Sequence, residues 1–372
     1  MNPFSYGTVV KGENFYDREE ESKRIVDTLG DGNNLVLYAP RRFGKTSLVF
    51  NAIEQLKKQD YICIYFDFMP VFSPESFVRL YAKALSSQQS NLQKFAKTFI
   101  STVKNIRPVL GLGQEGKLEF SIDFANEKVD ETIVSQLLDL PEMMAGKNQR
   151  ILIFFDEFQE VEKLKDINFE GLLRSKVQQQ QHVNYLFFGS KTHIMQAMFN
   201  NKNRAFYHAA SQMTLGYLPE KDTVDFLQRN FSKKSVHISE EIAQYIISVT
   251  ANIPHYIQLL AAEIWQNVET GTNITQDMVD KSVLRVVDMK SDYYVEMFDH
   301  QSKSKKQFLL ALCSSGKNIF SEDYIRRYRL PSYATLQRAA SGLINDGIID
   351  RMGSEYFISD PFFKLFLKRT AL

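Results

Sequence analysis

The chain has 372 residues, 44% hydrophobic and 24% charged, with a net charge of +1. This is the balance of a folded globular protein of two or three domains, and it excludes extended disorder. No apolar run approaches the roughly 18 to 20 residues of a membrane span, and Met1-Asn2-Pro3-Phe4 has neither the basic nor the apolar region of a secretory signal. The two cysteines, Cys63 and Cys313, lie far apart in apolar contexts. They read as buried thiols in a reducing compartment, so a cytoplasmic protein with no membrane partner is expected.

In chain order, the first chemical signal is YAPRRFGKTSL at residues 38–48. Residues 35–38 form a short apolar run suited to a buried parallel strand. Leu48, Val49, Ala52, Ile53 and Leu56 then recur at helical spacing. Strand, loop and helix is the context a phosphate-binding loop requires, and Gly44, Lys45 and Thr46 complete the second half of G-x-x-x-x-G-K-[ST]. Backbone N–H groups at the helix start favour an anion. Lys45 would reach the β- and γ-phosphates of ATP, and Thr46 would hold Mg²⁺. The expected contact set is Pro40, Arg41, Arg42, Phe43, Gly44, Lys45, Thr46 and Ser47. Ala39 stands where the pattern has its first glycine. A residue before proline is pushed to extended backbone, where alanine is comfortable, so the loop is expected to bind nucleotide. The alternative is a chance Gly-Lys-Thr in an inert loop.

A second strand is expected over residues 61–66, and a β-hairpin over 107–124 around Gly113-Gln114-Glu115-Gly116. RILIFFDEFQEV then places an apolar strand, 151–155, ahead of Asp156-Glu157. An acidic pair at a strand end provides a metal ligand, Asp156, and a general base for water, Glu157. A third apolar strand, 183–188, ends in Gly189-Ser190-Lys191-Thr192. Ser190 is expected to sense the γ-phosphate, or to cap the following helix, or both. A last core strand is expected at 213–216.

From 219 to about 300 the pattern is helical. Residues 305–313, 322–328 and 333–346 then read as three helices. A strand-turn-strand over 348–358 follows, with Met352-Gly353-Ser354 at its tip. That order is a winged helix. From Ser302 onward there are 12 Lys and Arg against 6 Asp and Glu, a basic bias absent from the preceding chain.

Together, YAPRRFGKTSL, ILIFFDEFQEV and NYLFFGSKTHIMQAMF resemble the archaeal-type P-loop ATPases of the AAA+/STAND superclass. The resemblance implies an α/β P-loop core at 1–217 with a hairpin insertion at 107–124, a helical lid at 218–300 and a winged-helix domain at 301–372. It implies slow Mg²⁺-dependent ATP hydrolysis to ADP, with Lys45, Glu157 and Ser190 catalytic. NFYDREEESKRI at 14–25 resembles the family's box beside the adenine, which assigns Phe15, Tyr16 and Arg18 to the nucleotide. TANIPHYIQLL at 250–260 resembles the lid's G-x-P motif, with Pro254 matching and Asn252 in place of the glycine. Arg204 falls where such proteins carry an arginine that reaches a neighbouring subunit, which implies a homo-oligomer; the alternative is an ordinary surface arginine.

Three uses of the winged helix stand open. It binds DNA, through Ser332, Tyr333, Thr335, Gln337 and Arg338 with Arg326, Arg327 and Arg329 on phosphates. It restrains the lid as a protein-interaction switch, for which the histidine other relatives use is absent after His300. Or the nucleotide is a structural ligand without turnover, against which Glu157 argues.

Overall fold

The computed structural model describes residues 2–10, 15–89, 91–112, 118–124, 128–145 and 149–370. They form two compact units: one holds Arg18–Ala39 and Lys45–Leu215; the other holds Met1–Asp17, Pro40–Gly44 and Gly216–Leu372.

The first unit is built on strands β1 (Leu35–Tyr38), β2 (Ile62–Asp67), β3 (Arg107–Leu112), β4 (Leu118–Asp123), β5 (Ile151–Asp156), β6 (Val183–Gly189) and β7 (Ser211–Thr214). Five of them make a parallel sheet in the order β2-β5-β6-β1-β7. β1, β5 and β6 are buried along their whole length. This is why they read as unbroken apolar runs instead of alternating ones. β6 lies between β1 and β5, the additional-strand arrangement of P-loop ATPases. A close aromatic cluster fills one side of the sheet: Phe68 stacks on Phe77 at 5.9 Å, and Phe158 meets Phe187 at 4.7 Å.

β3 and β4 pair antiparallel, Arg107 opposite Asp123 and Leu112 opposite Leu118. The turn expected at Gly113–Gly116 lies outside the described residues. Phe120 and Ile122 turn inward, and Phe120 meets Phe95 at 4.8 Å. The last core strand begins at Ser211, two residues before the expected 213–216, and ends at Thr214. β7 is an edge strand with Ser211, Gln212 and Thr214 exposed, so apolar content could not mark it.

The second unit is helical through Glu220–Ser232, Glu240–Val249, Pro254–Asn267, Gln276–Met289 and Ser291–Asp299. Ser239 and Thr275 accept the N–H groups of Ile242 and Met278 and start two of these helices. The winged helix follows: helices Lys303–Ser314, Glu322–Arg327 and Tyr333–Asn345, then β8 (Ile349–Met352) paired with β9 (Glu355–Ile358), then a closing helix Pro361–Thr370. No described helix is long and apolar enough to cross a membrane.

Among the described residues before Glu19 there is no helix or strand, yet residues 4 and 5 are anchored in this second unit. Phe4 is buried against Phe231 at 4.8 Å, Phe226 at 5.9 Å and Trp265 at 6.1 Å, and Ser5 N–H donates to the buried Gln258 at 2.8 Å. Removing a buried phenylalanine ring costs about 3–5 kcal/mol where the site cannot collapse. Phe4→Ala is therefore expected to lower stability in a denaturant titration by about 3 kcal/mol. An unchanged midpoint would mean that the segment does not hold the helices.

Candidate functional site

The P-loop spans the gap between β1, which ends at Tyr38, and the helix Lys45–Lys57. Its left-handed positions are Arg42 (φ 70°) and Gly44 (φ 84°); Ala39 is not among the positive-φ residues. Glycine is thus not required at position 39, and the loop's left-handed positions fall at Arg42 and Gly44. A Cβ placed on Gly44 would meet nothing within 4 Å, so the space over this glycine is open. Lys45 is buried, and its Nζ donates to the Ala39 carbonyl at 2.8 Å. Thr46 and Ser47 follow in the first turn of the helix, half-buried.

β5 delivers Asp156 to the carboxyl edge of the same sheet. The Tyr65 hydroxyl donates to its Oδ2 at 2.6 Å, and the Glu157 N–H to its Oδ1 at 2.8 Å. Asp67 is its register partner on β2. Burial pushes the Asp156 carboxyl up to about 6, with the Glu157 and Asp67 charges adding and the two hydrogen bonds opposing. Burial also raises Asp67, with Glu157 and Glu160 adding. Carboxylates converge here around Asp156, and hard oxygen donors of this kind suit Mg²⁺. Asp156 with the Thr46 hydroxyl therefore fits that ion chemically. Among the described residues no group of three or more His, Cys, Asp and Glu gathers to hold a metal unaided.

Glu157 sits at φ 48°. Its Oε2 accepts from the Ser190 hydroxyl at 2.8 Å, the Ser190 N–H at 3.1 Å and the Gln159 amide at 2.5 Å. β6 runs beside β5, so Ser190, one residue past its end, arrives at the acidic pair. The capping alternative for Ser190 is corrected: the next helix starts at Thr192 with Lys191 at its N-cap and no side-chain cap. The Ser190 hydroxyl is instead turned to Glu157. Gln159 was not legible as a site residue. It is buried, and a Cβ on Gly189 would stand 1.9 Å from its Oε1, so the glycine makes room for it. Glu160 is also buried; burial alone would raise its carboxyl, but hydrogen bonds from Lys163 and Lys191 outweigh this and hold it at about 2.

The remaining expected residues lie as follows. Arg18 is buried at φ 81° and paired with Glu21 at 2.6 Å. Arg204 is bound within its own chain, to Glu170 at 2.5 Å and Glu162 at 3.0 Å, and lines a cavity of about 640 Å³ together with Leu164, Ile167 and Phe169. In the helical unit, Phe15 is half-buried and Tyr16 stacks on Phe226 at 3.8 Å. Pro40 is buried, and Phe43 is buried against Tyr217 at 5.3 Å. Arg41 and Arg42 are exposed in part, and Arg42 lies 4.9 Å over the Tyr256 ring. Pro254 opens its helix at the first position. Asn252 adopts φ 53° and donates to the Leu218 carbonyl at 2.9 Å. Asparagine tolerates the left-handed conformation that the lid motif's glycine provides, so the departure from that motif leaves its turn intact.

The buried Asp156 has a stability consequence. Its carboxyl titrates near 3.8 when free and near 6 in the fold. Between those values the folded state holds the proton more tightly, so this group's contribution to stability falls as pH rises and stays lost above 6. Asp156→Asn, without nucleotide, is expected to gain about 3 kcal/mol over the wild type at pH 8 and less than about 1 kcal/mol at pH 4. Thermal melts across that range decide it; a variant less stable than the wild type at pH 8 would refute the cost assigned to the buried charge.

No curated protein sequence matches the chain. Among solved structures, the Walker-type ATPase PABY2304 of Pyrococcus abyssi superposes with a TM-score of 0.65 at 17% identity, over 98% of this chain and 99% of that one. The Aeropyrum pernix ORC2 protein, solved in ADPNP-ADP complexes, gives 0.57 at 11% identity, covering 99% and 96%. The Aeropyrum pernix ORC1 protein, solved in complex with DNA, gives 0.51 at 13% identity, covering 98% and 94%. These likenesses show the fold. Residues 292–369 match a probable winged helix domain. Residues 15–260 match the ATPase domain predominantly from Archaea, and with a P-loop, an acidic strand end and a polar strand tip on one sheet edge, the chain belongs to that ATPase family.

Proposed function

We propose that the chain is a cytoplasmic AAA+/STAND-type switch that binds Mg²⁺–ATP at Lys45, Thr46 and Asp156 and hydrolyses it slowly, and that nucleotide state moves the lid and winged helix. The carrying observation is the contact of Ser190 with Glu157 beside Asp156. A water polarised by Glu157 gives up its proton to that carboxylate as its oxygen attacks the γ-phosphorus, and the bond to the ADP oxygen breaks. Ser190 touches the base and would register the γ-phosphate. Lys45 leaves the Ala39 carbonyl for the phosphates. Mg²⁺ would supply neutralisation of phosphate charge, held by Thr46 and Asp156. The switch reading is supported by the loop's own side chains, which pack within the helical and winged-helix unit: Phe43 against Tyr217 and Arg42 over Tyr256. Phe15, Tyr16, Arg18 and Pro254 remain proposed nucleotide contacts.

Lys45→Ala is expected to lose ATP binding in calorimetry, and Glu157→Gln to keep binding while turnover drops by at least about a hundredfold. A Glu157→Gln rate equal to wild type would put the base elsewhere. A rate per subunit that rises with protein concentration, and no longer does in Arg204→Ala, is expected if Arg204 leaves its two carboxylates to serve a second copy; a constant rate removes that role.

A second reading is DNA binding by the winged helix. The DNA-bound ORC1 protein shares the fold, and the exposed Tyr333 opens the third helix here. Against dense phosphate contact, Arg326 is paired with Asp323 at 2.8 Å. Weak, non-specific binding is expected, with a log–log salt slope near −0.9 for each phosphate neutralised. Fluorescence anisotropy with duplex DNA measures it, and absence of binding at low salt leaves the protein-interaction switch.

A further inference from the structure

Within the helical and winged-helix unit, one carboxylate is shared by more partners than it can satisfy. Asp360 is 9% exposed and begins the closing helix, its Oδ1 accepting the N–H groups of Phe362 at 2.9 Å and Phe363 at 3.3 Å. Its Oδ2 accepts from the Tyr294 hydroxyl at 3.1 Å and faces two cations, Arg42 of the P-loop at 3.5 Å and Lys290 at 3.8 Å. Charge-assisted N–H···O contacts normally close to about 2.7–2.9 Å. Both cations thus stand back from the one anion, over the same Tyr256 ring, Arg42 at 4.9 Å and Lys290 at 5.9 Å. His255 adds no negative charge. Burial and then the Arg42 and Lys290 charges hold it at about 4, so it is neutral at pH 7. Of the charges acting on His255, two are positive, Arg42 and Lys290, and one is negative, Asp360. This cluster also lies on the P-loop itself, whose Arg41 packs on Gly347 so closely that a Cβ there would sit 2.3 Å from its Nη1.

We propose that Arg42 and Lys290 form a phosphate-binding pair in which Asp360 stands in for the phosphate, so that a nucleotide's phosphates and the start of the closing helix compete for the same two cations. Lys290 is then a nucleotide ligand, and Asp360 is a latch between phosphate occupancy and the winged helix. The proposal rests on nucleotide binding at the P-loop. A guanidinium and an ammonium suit the several oxygens of a phosphate better than one already hydrogen-bonded carboxylate oxygen. Linkage is reciprocal: if phosphate weakens the latch, the latch weakens phosphate binding by the same factor.

The test is titration of wild type, Asp360→Asn and Lys290→Met with fluorescent ADP, with hydrogen exchange of residues 361–370 followed with and without ADP. Asparagine keeps the Oδ1 cap and removes the charge. Asp360→Asn is expected to tighten ADP binding by about tenfold, and Lys290→Met to weaken it by about as much. ADP is expected to raise exchange of the closing helix in the wild type and not in Asp360→Asn. If the wild type binds ADP but Asp360→Asn binds equally or more weakly, the latch alone is overturned. Should that variant misfold, unchanged exchange in the ADP-bound wild type, or unchanged affinity in Lys290→Met, overturns it. A wild type that binds no nucleotide overturns both the latch and the function it rests on.

Discussion

Three fully buried parallel strands set the position of every group with chemistry. β5, β6 and β1 pair side by side, with Phe155 level with Phe187 and Tyr38 level with Gly189. Strands covered on both faces admit few polar side chains along their length, Asn184 being one that is hydrogen-bonded to the Gly32 carbonyl, and parallel strands all finish at the same edge. Reactive groups are therefore confined to the residues just beyond the strand ends, the usual location of ligand sites in open α/β sheets. Lys45 and Thr46 follow β1, Asp156 and Glu157 finish β5, and Ser190 follows β6. The cost of this placement falls on Asp156, whose charge is buried beside Asp67 and Glu157. A sheet that concentrates carboxylates there gains stability by admitting a cation.

Those strands were legible for the same reason that they are buried. Continuous apolar runs of strand length bounded by Gly, Asp or Pro have few other interpretations, and the helices and wing of the last 70 or so residues were readable from spacing and turn chemistry. What the sequence did not disclose depends on partners far along the chain. Tyr65 matters because register puts it beside Asp156, 91 residues away. Gln159 matters because Gly189 leaves space for its amide. Phe4 carried no signal in the sequence beyond the lack of a secretory pattern, yet its ring lies in an aromatic cluster contributed by two lid helices. β7 was displaced because an edge strand need not be apolar.

Two positions where a family pattern has glycine resolve in opposite ways. At Ala39 the backbone is not left-handed, so glycine's freedom is not required. At Asn252 the left-handed turn remains, and asparagine meets it while adding a hydrogen bond to Leu218. A glycine missing from a motif therefore says little until φ is known.

The side chains of this loop have a further effect. In a phosphate loop made of small residues, the nucleotide meets backbone and the Lys and Thr that end the motif, and little extends from the loop toward other elements. Here the loop carries Arg41, Arg42 and Phe43, and the packing of each belongs to the lid and winged-helix unit: Gly347 under Arg41, Tyr256 and Asp360 around Arg42, Tyr217 against Phe43. A phosphate held at this loop adds negative charge beside Arg42 and so weakens the pull that Asp360 exerts on it. The bulky side chains that make the motif look defective are thus the ones through which it can report its occupancy. Lys45, held by a carbonyl inside the loop, is the part that a loop without such neighbours would share.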